Sequence, residues 1–103
     1  MLLHLGNDQM VLSEDIEFIL DYDECKKNVD SKLFLKKAKQ TAELIYISKK
    51  NISSIIFTKK NDQILLYFSP INSSTLLKRA DDNFNDFSLV KGNIDLSELK
   101  WNF

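Results

Sequence analysis

The sequence predicts an α+β fold: a small, mostly antiparallel sheet of about five to six short strands, one amphipathic helix at about 30–42, and a short helix after the last hairpin at about 72–80. Short runs of β-branched and aromatic residues, broken by Gly, Asn and Asp, predict the strands. Helical spacing and capping residues predict the helices. A chain of 103 residues with 44% hydrophobic residues suits a single core.

The first strands surround a Gly-Asn-Asp turn. Met1–Leu5 and Met10–Leu12 flank residues 6–8, whose Gly and Asn tolerate the positive φ of a tight turn, so we expect a hairpin. Residues 16–22 then predict a third strand or a bent continuation of the second. A short helical turn capped by Ser13 is the alternative.

The most regular stretch of the chain is the predicted helix at 30–42. Asp30 or Ser31 can cap it, and good helix formers follow. Three apolar residues recur there at helical spacing, Leu33, Phe34 and Ala38, while the lysines fall on other positions. The pattern is typical of a helix with one buried side.

A second hairpin and a short helix complete the first 80 residues. Strands are predicted at Leu44–Ile47, Ile52–Thr58 and Gln63–Ser69. Residues 59–62 form a polar turn between the last two strands. Pro70 ends the final strand because it has no N–H to donate, and the Asn72-Ser73-Ser74 run offers caps for a helix at about 72–80.

Residues 81–103 form an extension of different character. They begin acidic and rich in Asn, yet they contain seven Leu, Ile, Val or aromatic residues after Ser88. Such a segment is too apolar for a purely disordered tail. We therefore expect residues 1–80 to form the domain, and 81–103 to pack on that domain or on a neighbouring subunit.

Composition also bears on location. The longest apolar run is Ile64–Phe68, far short of the roughly 20 residues of a membrane-spanning helix. The N-terminus lacks the basic region of a secretory signal. A single cysteine, Cys25, permits no intrachain disulfide, which fits a reducing compartment. We expect a cytoplasmic protein with no membrane partner.

Catalytic signatures are missing from the sequence. The only histidine, His4, lies among apolar residues and is expected to be structural, and one His with one Cys gives no zinc pattern. Two glycines cannot build a phosphate-binding loop. The neighbouring carboxylates Glu14, Asp15 and Glu17 suggest a solvated acidic edge. We predict neither an enzyme nor a bound cofactor or metal.

Charge is segregated along the chain although the net charge is only −1. Residues 1–25 hold seven acids and no Lys or Arg, residues 26–79 carry a net charge of +9, and residues 80–103 carry −3. The middle block could be the footprint of a polyanion. Alternatively, the acidic N-terminal block neutralises it, within one chain or across a subunit interface.

Five groups of basic residues make up the middle block: Lys26-Lys27, Lys36-Lys37-Lys39, Lys49-Lys50, Lys59-Lys60 and Lys78-Arg79. Most of them lie in predicted loops or at element ends, where they could reach a phosphate backbone. Lysine suits non-specific phosphate contact better than base readout. Lys78 and Arg79 also have a structural interpretation, because positive charge is favourable at the C-terminal end of a helix.

Two stretches resemble a known family. The first is Leu3-His4-Leu5-Gly6-Asn7-Asp8 with Val11-Leu12-Ser13 and Asp15-Ile16, and the second and more specific one is Tyr67-Phe68-Ser69-Pro70-Ile71-Asn72-Ser73-Ser74-Thr75-Leu76-Leu77-Lys78-Arg79-Ala80. Both are similar to the RemB branch of the RemA/RemB family of bacterial extracellular-matrix (biofilm) regulators. The resemblance covers about the first 80 residues.

The resemblance implies a small α/β domain that assembles into a homo-oligomer, with a ring as one form, and that binds duplex DNA as a transcriptional regulator. One arginine-bearing stretch of the family matches Lys49 and Lys50, which keep the charge but lose the planar guanidinium. Another family arginine matches Asp15, which would repel phosphate.

Two functions follow from these expectations. The first is an oligomeric DNA-binding regulator that contacts phosphates through Lys49 and Lys50, and secondarily through Lys78 and Arg79. The second is an oligomeric scaffold or accessory module that has lost DNA binding, in which the acidic residues 1–25 of one subunit meet the basic block of the next. A paralogous regulator in the same cell is a further candidate partner.

Overall fold

A five-stranded sheet lies between two other layers in the computed structural model, which describes residues 2–81 and 89–90. In chain order the elements are β1 (Leu2–Gly6), β2 (Gln9–Leu12), β3 (Ile16–Asp21), α1 (Tyr22–Lys27), α2 (Val29–Thr41), β4 (Glu43–Tyr46), β5 (Ser54–Lys60), β6 (Gln63–Ser69), α3 (Ser73–Asp81) and β7 (Leu89–Val90). The predicted α+β class is confirmed. No helix in the described ranges is long and apolar enough to cross a membrane.

The strands form one sheet and one separate hairpin. The sheet order is β4-β6-β5-β3-β7, and β1 pairs only with β2. β5 is antiparallel to both of its neighbours, whereas β4 is parallel to β6 and β7 is parallel to β3. β3, β4, β6 and β7 therefore all end at the same edge of the sheet, which we call the carboxyl edge.

Each face of the sheet is buried under a different layer. α1 and α2 cover one face, where Phe18 of β3 stacks on Phe57 of β5 at 4.8 Å between ring centroids and Phe34 of α2 tilts against Phe18 at 5.6 Å. The β1–β2 hairpin and α3 cover the other face, where Leu5 and Leu76 are fully buried. Burial on both faces explains why the strands are continuous apolar runs.

Two tight turns with positive φ set the hairpins. Asn7 and Asp8 have φ of 46° and 63°, and the predicted first hairpin is confirmed. Asn61 and Asp62 have φ of 50° and 67° and join β5 to β6. This second turn needs only two residues, so β5 extends to Lys60. β5 therefore spans 54–60, two residues later than the predicted strand at 52–58.

Residues 13–21 combine both predicted alternatives. Ser13–Asp15 form one 3₁₀ turn, and β3 follows from Ile16. Ser13 is buried inside the turn and does not cap it, since the capping position is Leu12. The turn redirects the chain from the hairpin layer into the sheet.

α1 was not predicted, and it changes how α2 begins. The Asp21 carboxylate accepts the Glu24 N–H at 3.1 Å and so caps α1. The Asn28 side chain then accepts the Ser31 N–H at 3.0 Å, so the cap of α2 is Asn28 rather than Asp30 or Ser31. Each helix thus has its own cap, and Asn28 separates α1 from α2.

α3 agrees with its prediction, and the extension is only partly described. The Asn72 side chain accepts the Thr75 N–H at 3.0 Å, one of the three predicted caps. β7 pairs with Ile19 and Leu20 of β3. The expected packing of 81–103 otherwise falls on residues outside the described ranges.

A buried serine joins the layers at the carboxyl edge. The Ser69 hydroxyl, fully buried, donates to the Leu5 carbonyl at 2.6 Å and accepts the Ile71 N–H at 3.0 Å. Ser54 donates to the Ile71 carbonyl at 2.8 Å, and Ser73 donates to the Asp21 carboxylate at 3.1 Å. The Ser69 and Ser54 hydroxyls thus satisfy backbone groups, and the Ser73 hydroxyl, itself buried, finds its partner in a side chain.

Replacing Ser69 by alanine should lower the free energy of unfolding by about 1–3 kcal/mol, because the buried Leu5 carbonyl and the partly buried Ile71 N–H lose their partner. Urea unfolding monitored by circular dichroism measures the change. Ser74→Ala, at an exposed position of α3, is the matched control. Equal losses in the two variants would contradict the role of Ser69.

Cys25 lies fully buried under α2, and its thiol donates to the Ser31 carbonyl at 3.6 Å. Burial, with Asp21 adding to it and Lys39 opposing it, raises the pKa of the Cys25 thiol above its ordinary value of 9.0. The folded protein therefore favours the protonated thiol.

We expect the Cys25 thiol to make stability fall at alkaline pH. The unfolded chain loses the thiol proton first, so the free energy of unfolding should decline as the pH rises through 9.0. Urea unfolding at a series of pH values measures the slope, and Cys25→Ala should show a shallower one. Identical slopes in the two proteins would contradict the expectation.

Candidate nucleic-acid interface

Lys49 and Lys50 lie together on the loop between β4 and β5. Both side chains are exposed, and neither is joined by an ion pair to a carboxylate of the described residues. The Ser48 hydroxyl donates to the Lys50 carbonyl at 2.5 Å and accepts the Lys50 N–H at 3.2 Å. Asn51 then adopts a φ of 57°. This local turn presents two adjacent ammonium groups to solvent.

The same loop is anchored to the hairpin. The Asn7 amide donates to the Ile47 carbonyl at 2.9 Å, and the Ile47 N–H donates to the Phe68 carbonyl at 3.0 Å. Gly6 has a φ of +112°, and a Cβ there would lie 3.5 Å from Ile47 and from Pro70. Gly6 is therefore required for its backbone conformation rather than for space. These contacts hold the base of the lysine loop.

Lys78 and Arg79 occupy the last turn of α3, and both are exposed. The Arg79 guanidinium donates to the His4 carbonyl of β1 at 3.2 Å. Both residues thus lie where the structural interpretation requires, at the C-terminal end of α3, and Arg79 in addition ties this end to the hairpin. Lys78 has no such bond among the contacts described and is the freer cation of the two.

The two predicted groups are tied to the hairpin at different points. Lys49 and Lys50 follow Ile47, which is bonded to Asn7 at the hairpin turn, while Arg79 is bonded to His4 farther along β1. Sequence reasoning identified the four cations but not their supports. Ser48 was a visible signal, because Ser side chains commonly bond nearby backbone in turns, whereas the bond from Asn7 to Ile47 joins residues 40 positions apart and had no local signal.

Several acids of the first 25 residues pair with the basic block inside the chain. Lys26 lies 3.5 Å from Asp23, and Lys27 lies 3.8 Å from Glu24. Asp15, at the position where the resemblance implies an arginine, lies 3.9 Å from Lys60. Exposed pairs of this kind contribute little to stability. They do neutralise the positive charge of these lysines.

A groove of about 280 Å³ opens between the hairpin and the sheet, and the Asp15–Lys60 pair forms part of its lining. Tyr67 also lines it. Burial, followed by the charges of Glu43 and Asp15, raises the pKa of the Tyr67 phenol. The phenol therefore stays protonated at neutral pH and is no nucleophile.

The described residues offer point charges rather than catalytic chemistry. Within 2–81 and 89–90, no three His, Cys, Asp or Glu side chains gather where they could hold a metal ion. Cys25 is buried and protonated, and so is poorly suited to nucleophilic attack. Two exposed lysines on an anchored loop can bind phosphate groups without reading the bases.

Comparison with known proteins shows the family to which the chain belongs. The model of the RemA-like family, described as extracellular matrix regulatory protein A-like, matches residues 2–80. Extracellular matrix regulatory protein B of Bacillus subtilis (strain 168) is 37% identical over 86 residues, which cover 82% of this chain and 95% of that protein. The chain belongs to the RemA/RemB family of extracellular matrix regulatory proteins and is RemB-like.

Proposed function

We propose that this protein is a cytoplasmic, homo-oligomeric regulator that binds duplex DNA and controls the transcription of extracellular-matrix (biofilm) genes. The observation that carries the proposal is the exposed Lys49–Lys50 pair on a loop anchored to the hairpin. The names of the family and of the relative support a role in regulating the extracellular matrix.

Oligomerisation is part of the proposal for an energetic reason. Two lysines contribute only weak, salt-sensitive contacts with phosphates. Linking several copies raises the effective concentration of each further contact, so a multimer gains affinity without new residues. An assembly that presents Lys49 and Lys50 repeatedly along a duplex would bind DNA far more tightly than one subunit.

A second candidate is the oligomeric scaffold that has lost DNA contact. Asp15 favours it, because a carboxylate that replaces an implied arginine, and that is already paired with Lys60, offers nothing to phosphate. Light scattering together with DNA binding separates the two functions. A multimer that ignores DNA even at low salt supports the scaffold, whereas a multimer whose affinity falls steeply with salt supports the regulator.

Lys49→Gln/Lys50→Gln should weaken binding to a random duplex by about tenfold or more and reduce the slope of log affinity against log salt by about 2, since each phosphate contact contributes about 0.9 to the slope. Fluorescence anisotropy across a salt series measures both quantities. Lys26→Gln/Lys27→Gln, which removes the same charge from locally paired lysines, is the matched control. If both double variants bind DNA equally well, the proposed contact is wrong.

Lys78 and Arg79 should separate into different roles. Arg79→Gln should lower the free energy of unfolding by up to about 1 kcal/mol, because it loses the bond to the His4 carbonyl. Lys78→Gln should lower stability by less than Arg79→Gln, since it loses only the interaction of an exposed charge with the helix end, while it lowers DNA affinity at low salt. Urea unfolding and anisotropy measure the two effects. An equal stability loss in both variants would contradict this division.

A further inference from the structure

The side of α2 that faces away from the sheet combines apolar and basic residues. Val29 and Leu33, one helical turn apart, are 70% and 56% exposed. Lys32, Lys36 and Lys37 surround them and are exposed as well. We call these five residues the outer face of α2. Two large apolar side chains exposed within a group of lysines fit an apolar segment that carries acids.

The orientation of this face is fixed by packing. Phe34, Leu35 and Ala38 of α2 are buried against the sheet, and the Phe34 ring contacts Phe18 of β3. Rotating α2 to bury Leu33 would expose these three residues and forfeit their burial. The outer face can therefore be covered only by something that packs onto it.

The chain itself passes close to the start of this face. β7 runs parallel to β3 with Val90 paired to Leu20, at the carboxyl edge. α1 begins directly after β3 and spans only about 9 Å, and α2 follows it at Val29. Val90, the last described residue, thus lies near the end of α2 where its outer face begins.

The following segment matches the outer face in length and chemistry. Residues 91–103 contain thirteen residues, as α2 does, and can reach along all of its roughly 20 Å whether helical or extended. Five of them are large and apolar: Ile94, Leu96, Leu99, Trp101 and Phe103. Asp95 and Glu98, the two acids of the segment, lie among these apolar residues, and its two bases, Lys91 and Lys100, lie on either side of them.

We propose that residues 92–103 dock on the outer face of α2 of the same chain, with their apolar side chains against Val29 and Leu33 and with Asp95 and Glu98 near the surrounding lysines. This surface and its occupant go beyond the proposed DNA-binding function. The segment also lies outside residues 2–80, which the family model matches.

Trp101 reports on the docking because it is the single tryptophan of the chain. In the full-length protein its emission should be blue-shifted relative to the urea-unfolded chain and protected from acrylamide. Leu33→Asn should shift the emission towards that of the unfolded chain. Lys36→Glu/Lys37→Glu should do the same by repelling Asp95 and Glu98.

Leu2→Asn is the matched control, because Leu2 is 55% exposed on the hairpin and lies away from α2. Circular dichroism verifies that each variant is folded. The proposal would be overturned if the native protein emitted at the same wavelength as the unfolded chain. It would also be overturned if Leu2→Asn shifted the emission as much as Leu33→Asn does. Emission that shifts with protein concentration would also overturn it, since it would assign the segment to a second copy.

Discussion

The packing of the β1–β2 hairpin against the sheet depends on the hydrogen bonds of the Ser69 hydroxyl. It links the end of β6 to Leu5 of β1, 64 residues earlier, and also holds the N–H of Ile71. Its two bonds fix the hairpin on the sheet and direct the chain past Pro70 towards α3. A hydroxyl can serve both partners because it donates once and accepts as well.

The contacts around Ser69 determine where the candidate interface lies. Pro70 packs close to Gly6, and the neighbouring Asn7 holds the loop that carries Lys49 and Lys50. α3 lies on the same hairpin and ends with Arg79 at His4. The two basic groups are nearly 30 positions apart in sequence, and each is tied to the hairpin by its own hydrogen bond.

The stretch that most resembles the family is chiefly structural. Within Tyr67–Ala80, Ser69 and Ser73 satisfy buried polar groups, Asn72 caps α3, and Leu76 fills the core under the hairpin. The proposed principal DNA contacts lie outside this stretch. The resemblance is therefore a strong predictor of fold, while function depends on residues placed on that fold.

The α+β class, both hairpins, α3 and the extent of α2 to within a residue could be predicted from the sequence, because apolar periodicity and turn residues are local signals. Helix α1 escaped prediction because its six residues show no clear period, and its cap, Asp21, belongs to the preceding strand. The parallel pairings of β4 and β7, the pairing of Asp15 with Lys60, and the anchoring of the Lys49–Lys50 loop became visible only in the folded chain. Each of these joins residues far apart in sequence, and a linear pattern carries no information about such distances.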